Sequence, residues 1–471
     1  MNIRYSGDLK CMLLFIVCMV SGPPLIFSTN VRDFGAVGDG VADDTDAIYA
    51  AIQAAEDGEI FFSKGRYRIT RSIDIELSKL GPMVISGVAS ASTVLMDGQG
   101  AAFIIRGSHK GSALPASVEE PVWTKEKFFT IESLEIVGQQ EESDGIQFIE
   151  LMQPVVRNCL IRNVRYGIRL STRNRNVLLL GNHIYNCRKI GVFLDEVNLH
   201  QINIHDNHIS YCKEGGIVVR NSEIRNIQIV GNDIEYNFDT TSGTISADLF
   251  FDIAEKGSIR EGTISGNNIQ ALESSGGANI HFNGNPDSRV KIGLLSITGN
   301  HISNQETLIK LKNVKGISIT GNTFIRGYTK HMTIKSADNI VIQGNVFDYN
   351  ADYFTNDAQV GGGVRLDSCR NIVFSDNILD GVHSGNSDRG GALEIDNSQW
   401  ISVNSSHISN SRFRSIEVVQ SNHISITNCS LYNEGEPMTD GILVRGFCEN
   451  VKIEDNRIDQ VTRSEVHRID D

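Results

Sequence analysis

Gly299-Asn300-His301-Ile302 is one copy of a short phrase that recurs along most of this chain. In each copy an apolar run leads into Gly-Asn or Asp-Asn, and Ile or Phe follows within two residues. Successive copies are 22 to 35 residues apart, which indicates a solenoid whose repeats bury their apolar faces only against their neighbours. Clear copies contain Asn182, Asn207, Asn232, Asn267, Asn300, Asn322, Asn345, Asn377 and Asn456, and weaker copies place Cys159, Ser406 and Cys429 in the same slot.

Strands rather than helices form these repeats. Each repeat carries a glycine-led run with alternating polarity, such as Gly167-Ile168-Arg169-Leu170, and another run before the asparagine, such as Ile317-Ser318-Ile319-Thr320. β-Branched residues in period-2 alternation are typical of strands, and no segment between them has helical periodicity. Three strands per repeat therefore predict an all-β fold, a parallel β-helix of roughly a dozen coils.

The asparagine slot suits a tight corner of each coil. Asparagine tolerates positive φ, and its amide can hydrogen-bond to the asparagine one rung above. We therefore interpret these asparagines as a structural ladder rather than as chemical groups.

The N-terminal segment carries a family resemblance. Residues 31–40 read Val-Arg-Asp-Phe-Gly-Ala-Val-Gly-Asp-Gly, and residues 43–48 read Asp-Asp-Thr-Asp-Ala-Ile. Over residues 31–70 the chain resembles the opening of the pectate-lyase-like superfamily, which includes polysaccharide lyases, hydrolases, epimerases and phage tailspikes. The resemblance implies a right-handed parallel β-helix and leaves the reaction open.

The same segment predicts a capping helix. Asp44 or Thr45 is a suitable N-cap, and an apolar helical face follows. Such a helix covers the open end of the rod and blocks edge-to-edge aggregation. We interpret Asp39 and Asp43 as turn and cap residues as well. The apolar face comprises Ala47, Ile48, Ala51, Ile52 and Ala55.

Residues 1–28 predict export. Arg4 and Lys10 precede an apolar run, Cys11–Val20, that is short for a membrane span. We expect a cleaved signal peptide, with an uncleaved anchor as the alternative. The mature protein is then secreted, extracellular or periplasmic, and has no membrane partner. Residues 29–471 form a single β-helix domain, with the cap and first strands at 31–70 and regular coils at 128–461.

The net charge and the cysteine spacing exclude some classes of ligand. A net charge of −14 argues against nucleic acid. No Cys-x-x-Cys pair occurs, which argues against a zinc site. Cys187 and Cys212 occupy equivalent positions in consecutive coils, at a spacing that a disulfide can bridge. A bridge and a reduced sulfur stack are both open.

Members of the superfamily that are enzymes use the groove along the sheet formed by the glycine-led strands. Alternate residues of these strands face outward, so aligning the coils predicts two outward columns. The first column reads Gln147, Arg169, Phe193, Val218, Phe250, His281, Lys310, Thr333, Arg365, Glu394, Glu417 and Leu443. The second reads Asp195, Arg220, Asp252, Asn283, Lys312, Lys335, Asp367, Asp396, Val419 and Arg445, and a further column two residues before the first includes Asp248, Asn279 and His331.

An acidic cluster stands out in these columns. Asp367 and Asp396 stack in one column, and Glu394 and Glu417 lie alongside. Stacked carboxylates repel, so the pKa of one should rise. This arrangement is typical of a glycosidase acid–base pair or a calcium site. We assign Asp367, Asp396 and Glu394 as catalytic, with Glu417 and Arg365 binding substrate.

A mixed cluster favours another reaction. A lyase or epimerase must neutralise a uronate carboxylate and abstract the adjacent proton, which suits Lys, Arg or His beside a cation. The chain has no Gly-His-Gly motif, which counts against polygalacturonase activity. In this reading His281, Lys310 and Lys335 are catalytic, Lys312, His331 and Arg220 bind substrate, and Asp248 and Asp252 hold an optional calcium ion.

These observations predict a secreted enzyme that cleaves an acidic polysaccharide by lyase or hydrolase chemistry, with epimerase chemistry a weaker alternative. No cofactor is required, although calcium is compatible with the acidic residues. Long connections such as 346–363 and 378–392 border both clusters, and long loops on a rigid scaffold commonly carry function. A non-catalytic carbohydrate-binding or adhesion protein, similar to a tailspike, is the alternative.

Overall fold

The computed structural model describes residues 28–56, 58–111, 114–239, 241, 243–349 and 360–469. The predicted export signal lies outside the described residues, apart from Ser28. Consecutive coils pair in parallel throughout, as in the register Leu295–Ile317, so the predicted all-β parallel β-helix is confirmed.

Helices are few and short. Helix α1 spans Thr45–Ala54 and helix α2 spans Leu77–Leu80. Single helical turns of other types occupy Val31–Phe34, Pro115–Ser117 and Val122–Glu126. Within the described ranges, none of the helices has the length and apolarity needed to cross a bilayer.

The strands of the first half of the rod already show the repeat. They are β1 Thr29–Asn30, β2 Asp39–Asp43, β3 Glu59–Phe62, β4 Gly65–Ile69, β5 Ile73–Glu76, β6 Val84–Gly87, β7 Ser92–Met96, β8 Gly100–Arg106, β9 Thr130–Glu132, β10 Glu135–Gly138, β11 Ser143–Met152, β12 Val155–Arg157, β13 Leu160–Arg162, β14 Tyr166–Leu180, β15 His183–Tyr185, β16 Ile190–His205, β17 His208–Ser210, β18 Gly215–Arg220, β19 Glu223–Val230, β20 Asp233–Glu235 and β21 Ala247–Asp252.

The second half continues the pattern to the end of the described chain. Its strands are β22 Ser258–Ser265, β23 Asn268–Gln270, β24 Ala278–Asn283, β25 Ile292–Thr298, β26 His301–Lys312, β27 Val314–Thr320, β28 Thr323–Lys335, β29 Asp338–Gln343, β30 Val346–Asp348, β31 Val364–Asp367, β32 Arg370–Ser375, β33 Ile378–Asp380, β34 Leu393–Asp396, β35 Gln399–Asn404, β36 His407–Ser409, β37 Arg414–Val419, β38 Asn422–Thr427, β39 Ser430–Tyr432, β40 Met438–Arg445, β41 Val451–Glu454, β42 Arg457–Ile458 and β43 Val461–Ile469.

Pairing sorts these strands into three faces of the rod. The groove sheet contains β5, β8, β11, β14, β16, β18, β21, β24, β26, β28, β31, β34, β37, β40 and β43. The pre-asparagine sheet contains β1, β3, β6, β9, β12, β14, β16, β19, β22, β25, β27, β29, β32, β35, β38 and β41. The post-asparagine sheet contains β2, β4, β7, β10, β13, β15, β17, β20, β23, β26, β28, β30, β33, β36, β39 and β42.

The interior is one continuous column of apolar side chains. Inward residues of each coil stack on their equivalents, as Phe251 does on Phe282 with ring centroids 4.6 Å apart. Phe324 and Phe347 repeat the arrangement at 4.6 Å. Each coil therefore buries its apolar face against the coils above and below, as a solenoid requires.

The asparagine ladder is present and runs through the clear copies. Asn300 donates from its backbone N–H (3.0 Å) and from Nδ2 (2.9 Å) to Oδ1 of Asn322. Asn322 makes the same two bonds to Asn345, each at 3.0 Å. The predicted positive φ lies one residue earlier, at Gly321 (φ 64°) or Asp376 (φ 55°), rather than at the asparagine. The asparagine amide bridges the coils, and the preceding residue makes the turn.

The N-terminal cap agrees with the sequence. Ile48, Ala51 and Ile52 of α1 are buried against the first coils. Asp44 accepts hydrogen bonds from the backbone of Val37 at 2.6 Å and of Gly38 at 3.1 Å. Its carboxylate therefore fixes the turn before the helix. Asp39 and Asp43 likewise accept local hydrogen bonds, so all three aspartates are structural.

The cysteines of the described chain are free thiols. Cys187 and Cys212 lie in consecutive coils and are both buried. A hydrogen bond to Cys212, together with burial, raises the pKa of the Cys187 thiol well above its ordinary value. The pair forms a reduced sulfur stack rather than a bridge.

Candidate functional site

The groove sheet presents its outward side chains in the two predicted columns. Register places Lys310, Thr333, Arg365, Glu394 and Glu417 beside one another on successive strands. The neighbouring column carries Lys312, Lys335, Asp367, Asp396 and Val419 in the same order. A basic stretch of the groove therefore passes directly into an acidic stretch.

A pocket of about 470 Å³ opens at the acidic end, between the groove sheet and the loop formed by residues 381–392. We call it the groove pocket and the connection loop 381–392. Four cationic and three carboxylate side chains lie among the residues around it. The lining comprises Lys330, Arg365, Ser384, Gly385, Asn386, Arg389, Gly390, Glu394, Asp396, Glu417, Val419, Gln420 and Arg445.

Glu394 is the most heavily paired carboxylate of the pocket. Nζ of Lys330 lies 2.6 Å from its Oε1, and Arg365 contacts its Oε2 at 3.3 Å. The backbone N–H of Gly391 also donates to Oε1 at 3.3 Å. Lys330 is itself buried and bonds to the hydroxyl of Ser384. These contacts tie loop 381–392 to the groove sheet through one buried ion pair.

Asp396 and Glu417 are less fully engaged. Arg365 donates to Oδ2 of Asp396 at 2.8 Å. Oε2 of Glu417 accepts from the backbone of Gly390 at 2.7 Å. The other oxygen, Oε1, lies 3.7 Å from Nε of Arg445 and has no hydrogen-bond partner among the described residues, although it is buried. Glu417, a residue of the pocket lining, therefore has one oxygen whose hydrogen-bonding capacity is not used by the described residues.

Arg414 supports the loop from below. Its guanidinium is fully buried and donates to the backbone oxygens of Asn386 (3.2 Å), Ser387 (2.8 Å) and Gly390 (2.6 Å). Asp440, also fully buried, lies 3.7 Å away and supplies the opposing charge. Burial lowers the pKa of Arg414. The buried guanidinium of Arg414 therefore fixes loop 381–392, which covers the groove pocket.

Asp367 lies beside the pocket rather than in it. Partial burial alone would raise the pKa of its carboxyl. Hydrogen bonds from Ser368 and Lys335 outweigh that effect and hold the pKa below its usual value. Lys335 approaches to 3.0 Å. The rise expected from stacking on Asp396 is therefore not found at Asp367, because cations are interleaved with the carboxylates.

The basic end of the groove is more open. Lys310 is half-buried and Lys312 is exposed on the adjoining positions of β26. His281 stacks on Phe250 with ring centroids 4.8 Å apart, and burial lowers its pKa to about 4. Arg220 packs over the ring of Phe193 at 5.4 Å. His281 is therefore neutral near pH 7 and forms part of an aromatic shelf with Phe250.

Two predicted site residues are inside the protein, and their assignment is corrected. Asp248 is 1% exposed, and its oxygens accept from Asn237 and Asn279 at 3.0 Å. His331 is 2% exposed, and its Nδ1 accepts from the backbone of Gly363 at 3.0 Å. Both residues lie within groove strands, but residues 247–251 of β21 and 330–332 of β28 are all buried, so strict inward–outward alternation does not hold there.

The predicted calcium pair therefore does not form. Asp252 is half-buried on the groove surface, where Nδ2 of Asn283 donates to it at 3.0 Å, whereas Asp248 is enclosed. Hydrogen-bond donors already occupy both oxygens of Asp248, which does not fit a calcium ligand. In the part of the chain that the structure describes, one group brings three ligand atoms within 4.8 Å, and it lies on the post-asparagine sheet: His208, Asp233 and Glu235.

Sequence reasoning missed several residues of the pocket. Lys330 lies in β28, three residues before Thr333 of the first column, and Arg389 belongs to a loop, so neither falls in a predicted outward column. Arg445 was in the second column but was not assigned a role. Among the missed residues, Arg414 was the easiest to find from the sequence, because aligning the coils places it beside Asp440 on the next strand.

Comparison with known proteins supports the fold. The model of the right-handed β-helix region matches residues 91–248 and 252–387, well over half of the chain. The model described as rhamnogalacturonase A/epimerase, pectate lyase-like, matches residues 28–130. Both matches agree with the superfamily resemblance inferred from the sequence.

Two curated relatives share short segments with this chain. Alginate lyase 7 of Azotobacter vinelandii is 33% identical over 124 residues, which are 25% of this chain and 13% of the lyase. Mannuronan C5-epimerase AlgE1 of the same organism is 54% identical over 44 residues, 9% of this chain and 3% of the epimerase. The chain therefore spans a small part of these relatives' lengths.

A solved structure resembles the whole rod. The pre-mature gene product 12 of bacteriophage phi29 superposes with a TM-score of 0.52 at 12% identity, covering 96% of this chain and 59% of the phage chain. At this identity the likeness concerns the fold alone.

Proposed function

The chain belongs to the right-handed β-helix family, and from that premise we propose that it is a secreted enzyme that cleaves an acidic polysaccharide in the groove pocket. The observation that carries the proposal is the state of Glu417. Its Oε1 is buried, lacks a hydrogen-bond partner among the described residues, and lies 3.7 Å from Nε of Arg445 in the lining of the groove pocket. A carboxylate in that state is suited to exchange a proton with a bound sugar.

The pocket also suits an anionic sugar. The chain as a whole has a net charge of −14, yet this pocket has one more cationic side chain than it has carboxylates. Arg389 makes no ion pair within the described ranges, so its guanidinium is available for a substrate carboxylate. Lys310 and Lys312 extend the same preference along the groove.

Hydrolysis is the reaction that the pocket favours. A glycosidase uses two carboxyl groups, one that exchanges a proton with the glycosidic oxygen and one that acts as nucleophile or activates water. Glu417 takes the first role because its Oε1 accepts no hydrogen bond from the described residues and has only a long ion pair, 3.7 Å, with Arg445. Asp396 takes the second, held by Arg365 at 2.8 Å. Glu394 and Lys330 position the loop and Arg365 rather than contacting the reacting bond.

Lyase chemistry is the second candidate. Arg389 and Arg445 could neutralise a uronate carboxylate, which is the first requirement of β-elimination. The named alginate lyase among the relatives adds support to this chemistry. In that case a lysine of the groove would abstract the proton, and the product would carry an unsaturated end.

A polysaccharide panel tests the proposal. Purified protein is incubated with polymannuronate, polygalacturonate and a neutral β-glucan, and both reducing ends and the ultraviolet absorbance of unsaturated uronates are measured. New reducing ends from a uronate polymer without absorbance support hydrolysis, and absorbance rising in parallel supports the lyase. Binding without any new ends would leave the adhesion alternative and contradict the enzyme.

Metal and export are proposed on separate grounds. The pocket carboxylates contact Lys330, Arg365 and a backbone N–H, so the proposed reaction uses no metal ion, and EDTA should leave activity unchanged. A loss of activity that calcium restores would instead point to Asp252.

Export predicts that the mature chain begins within a few residues of Ser28, which N-terminal sequencing of secreted protein would check.

A further inference from the structure

A second furrow runs along a different face of the rod, at the start of the strands of the pre-asparagine sheet. Two cavities of about 450 and 280 Å³ adjoin there and share Lys315 and Asn339. One register column follows the furrow from Arg260 to Gln399 over five rungs. At about 4.8 Å per rung the furrow is roughly 24 Å long.

The second furrow is strongly basic. Its five cationic side chains make no ion pair with an acidic group of the described residues, and Asp338 is the one acid among its lining residues. A concentration of unpaired cations on a protein with a net charge of −14 favours an anionic ligand. The five cations are Arg260, Arg289, Lys291, Lys315 and Arg370.

Trp400 lies at one end of this furrow and is 52% exposed. One face of its indole stacks on His423 of the next coil, with centroids 3.9 Å apart and parallel planes. Stacking along the rod leaves the other face directed at Asn371 of the preceding coil, where the larger cavity lies. An exposed aromatic face beside a cavity is a platform on which a sugar ring can stack.

The backbone conformation of Trp400 is shared by the other coils. Its φ is 60°, and the equivalent positions are also left-handed at Leu294 (φ 53°), Asn339 (φ 58°), Asn371 (φ 58°) and His423 (φ 57°). Bulky residues therefore occupy this corner elsewhere in the rod, and what distinguishes Trp400 is its exposed indole face beside the cavity.

Polar groups complete the furrow. Nδ2 of Asn371 donates to Oδ1 of Asn339 at 2.7 Å. The pairing orients both exposed amides towards the cavity and leaves one donor group and one acceptor for a ligand. Amides in this arrangement suit the neighbouring hydroxyls of a sugar. Phosphate recognition would not require the amide acceptor.

We propose that the second furrow binds an extended anionic oligosaccharide, with one sugar ring stacked on Trp400 and its acidic groups paired with Lys315 and Arg370. This site is separate from the groove pocket and lies on another sheet. It would hold the polymer without reacting with it. The ligand class follows from the furrow itself and does not depend on which reaction the groove pocket performs.

Tryptophan fluorescence reports directly on this site. The chain has two tryptophans, Trp123 and Trp400. Trp123 packs beside Val118, Val122 and Met152, so Trp123→Phe keeps an aromatic ring there and leaves Trp400 as the single emitter. We expect hexamers of mannuronate or galacturonate to change this emission saturably, whereas a neutral cello-oligosaccharide should leave it unchanged.

Charge variants in the same background identify the contacts. Lys315→Ala with Arg370→Ala should weaken binding by about tenfold or more, since two ionic contacts are lost. Lys79→Ala with Arg457→Ala changes the net charge equally at distant exposed sites and should have little effect. Glu417→Gln should leave the titration unchanged even where it abolishes cleavage, so failure of the groove proposal is distinguishable.

The proposal is overturned if uronate hexamers leave the Trp400 emission unchanged. It is also overturned if a neutral sugar acts equally well. The third ligand to titrate is a single-stranded oligonucleotide of the same net charge as the uronate hexamers. If it binds more tightly than either uronate, the ligand of the second furrow is nucleic acid and not an oligosaccharide.

Discussion

Glu417 and Asp248 are two carboxylates of groove strands that differ in how fully they are hydrogen-bonded. Glu417 keeps an unbonded oxygen beside a pocket. Asp248 is enclosed between Asn237 and Asn279, where it replaces one step of an amide ladder. Burial raises the pKa of Asp248 to about 7. A carboxylate thus makes internal hydrogen bonds at Asp248, whereas we propose a chemical role for the carboxylate of Glu417.

The raised pKa of Asp248 predicts a pH-dependent stability. The folded protein holds this proton up to about pH 7, whereas the unfolded chain releases it near 3.8. The stabilising contribution is therefore fully present below about pH 4 and is lost as the pH rises towards 7. Asp248→Asn removes the charge, and Oδ1 of Asn279, which lacks a partner, can accept from the new amide after a rotation.

We expect Asp248→Asn to gain stability over the wild type as the pH rises, by about 1 to 4 kcal/mol at pH 8. Urea unfolding at pH 4.5 and pH 8 measures the difference, with Asp252→Asn on the same strand as the matched control. An equal difference between variant and wild type at both pH values would show that Asp248 does not titrate as described.

Arg414 is the second residue whose role is internal. Arg414→Met should lower the free energy of unfolding by about 3 to 5 kcal/mol, because it leaves buried Asp440 with less compensation and strands three backbone oxygens. Chemical denaturation measures the loss. Arg457→Met removes an exposed ion pair with Asp459 and should cost less than about 1 kcal/mol. Equal effects of the two substitutions would contradict the supporting role of Arg414.

Residue patterns predicted direction well on regular strands and poorly at their ends. Alternation placed Arg365, Glu394 and Glu417 outward and in register. It failed at Asp248 of β21 and His331 of β28, because consecutive residues there are all buried and alternation no longer separates an inner from an outer face. The alternation pattern also could not predict the ion pairs between coils, because these depend on the direction in which the long charged side chains extend across the groove.

At the level of the element, the asparagine ladder links each coil to the coils on both sides of it. Each ladder asparagine holds the backbone of its neighbour and also bonds to a carbonyl in the preceding coil, as Nδ2 of Asn322 does to Ile297 at 3.0 Å. Ser406 shows that a shorter side chain can receive the rung, since its hydroxyl accepts from Asn377 at 3.3 Å. The repeat period in the sequence predicted this element because most coils place an asparagine in the same slot.

Asn322→Ala should destabilise the protein by about 2 to 4 kcal/mol, because Asn300 then has two buried donors without their acceptor. Asn322→Ser should recover part of the loss, as the slot at Ser406 suggests. Asn268→Ala, an exposed position next to the ladder, is the control. Thermal or urea unfolding of the three variants decides, and an alanine variant as stable as the control would refute the ladder's contribution.

The capping helix is the other element with a direct test. Ile48 of α1 is fully buried against the first coils, so Ile48→Asp places an unpaired charge in the core and should cause misfolding or aggregation. Light scattering and thermal melts report the result. Asp46→Ala on the exposed face of the same helix should fold normally. A wild-type melt for Ile48→Asp would contradict the end-cap assignment.

On the scale of the whole molecule, we propose two separate surfaces that bind an acidic polymer. The groove sheet offers the pocket beneath loop 381–392, and the pre-asparagine sheet offers the second furrow. Both concentrate cations on a chain with a net charge of −14. The fold and the register of its groove could be predicted from the repeat alone, whereas the pocket depends on a loop whose path no periodic pattern encodes.

The release of reducing ends from an acidic polysaccharide by wild type and Glu417→Gln, measured side by side, tests the central claim most directly. We expect the variant to lose at least about 100-fold in rate while its thermal melt and its Trp400 titration stay unchanged. Asp195→Asn, elsewhere on the groove sheet, should keep wild-type activity. Full activity of Glu417→Gln on a polymer that the wild type cleaves would contradict the assignment of the reaction to the groove pocket.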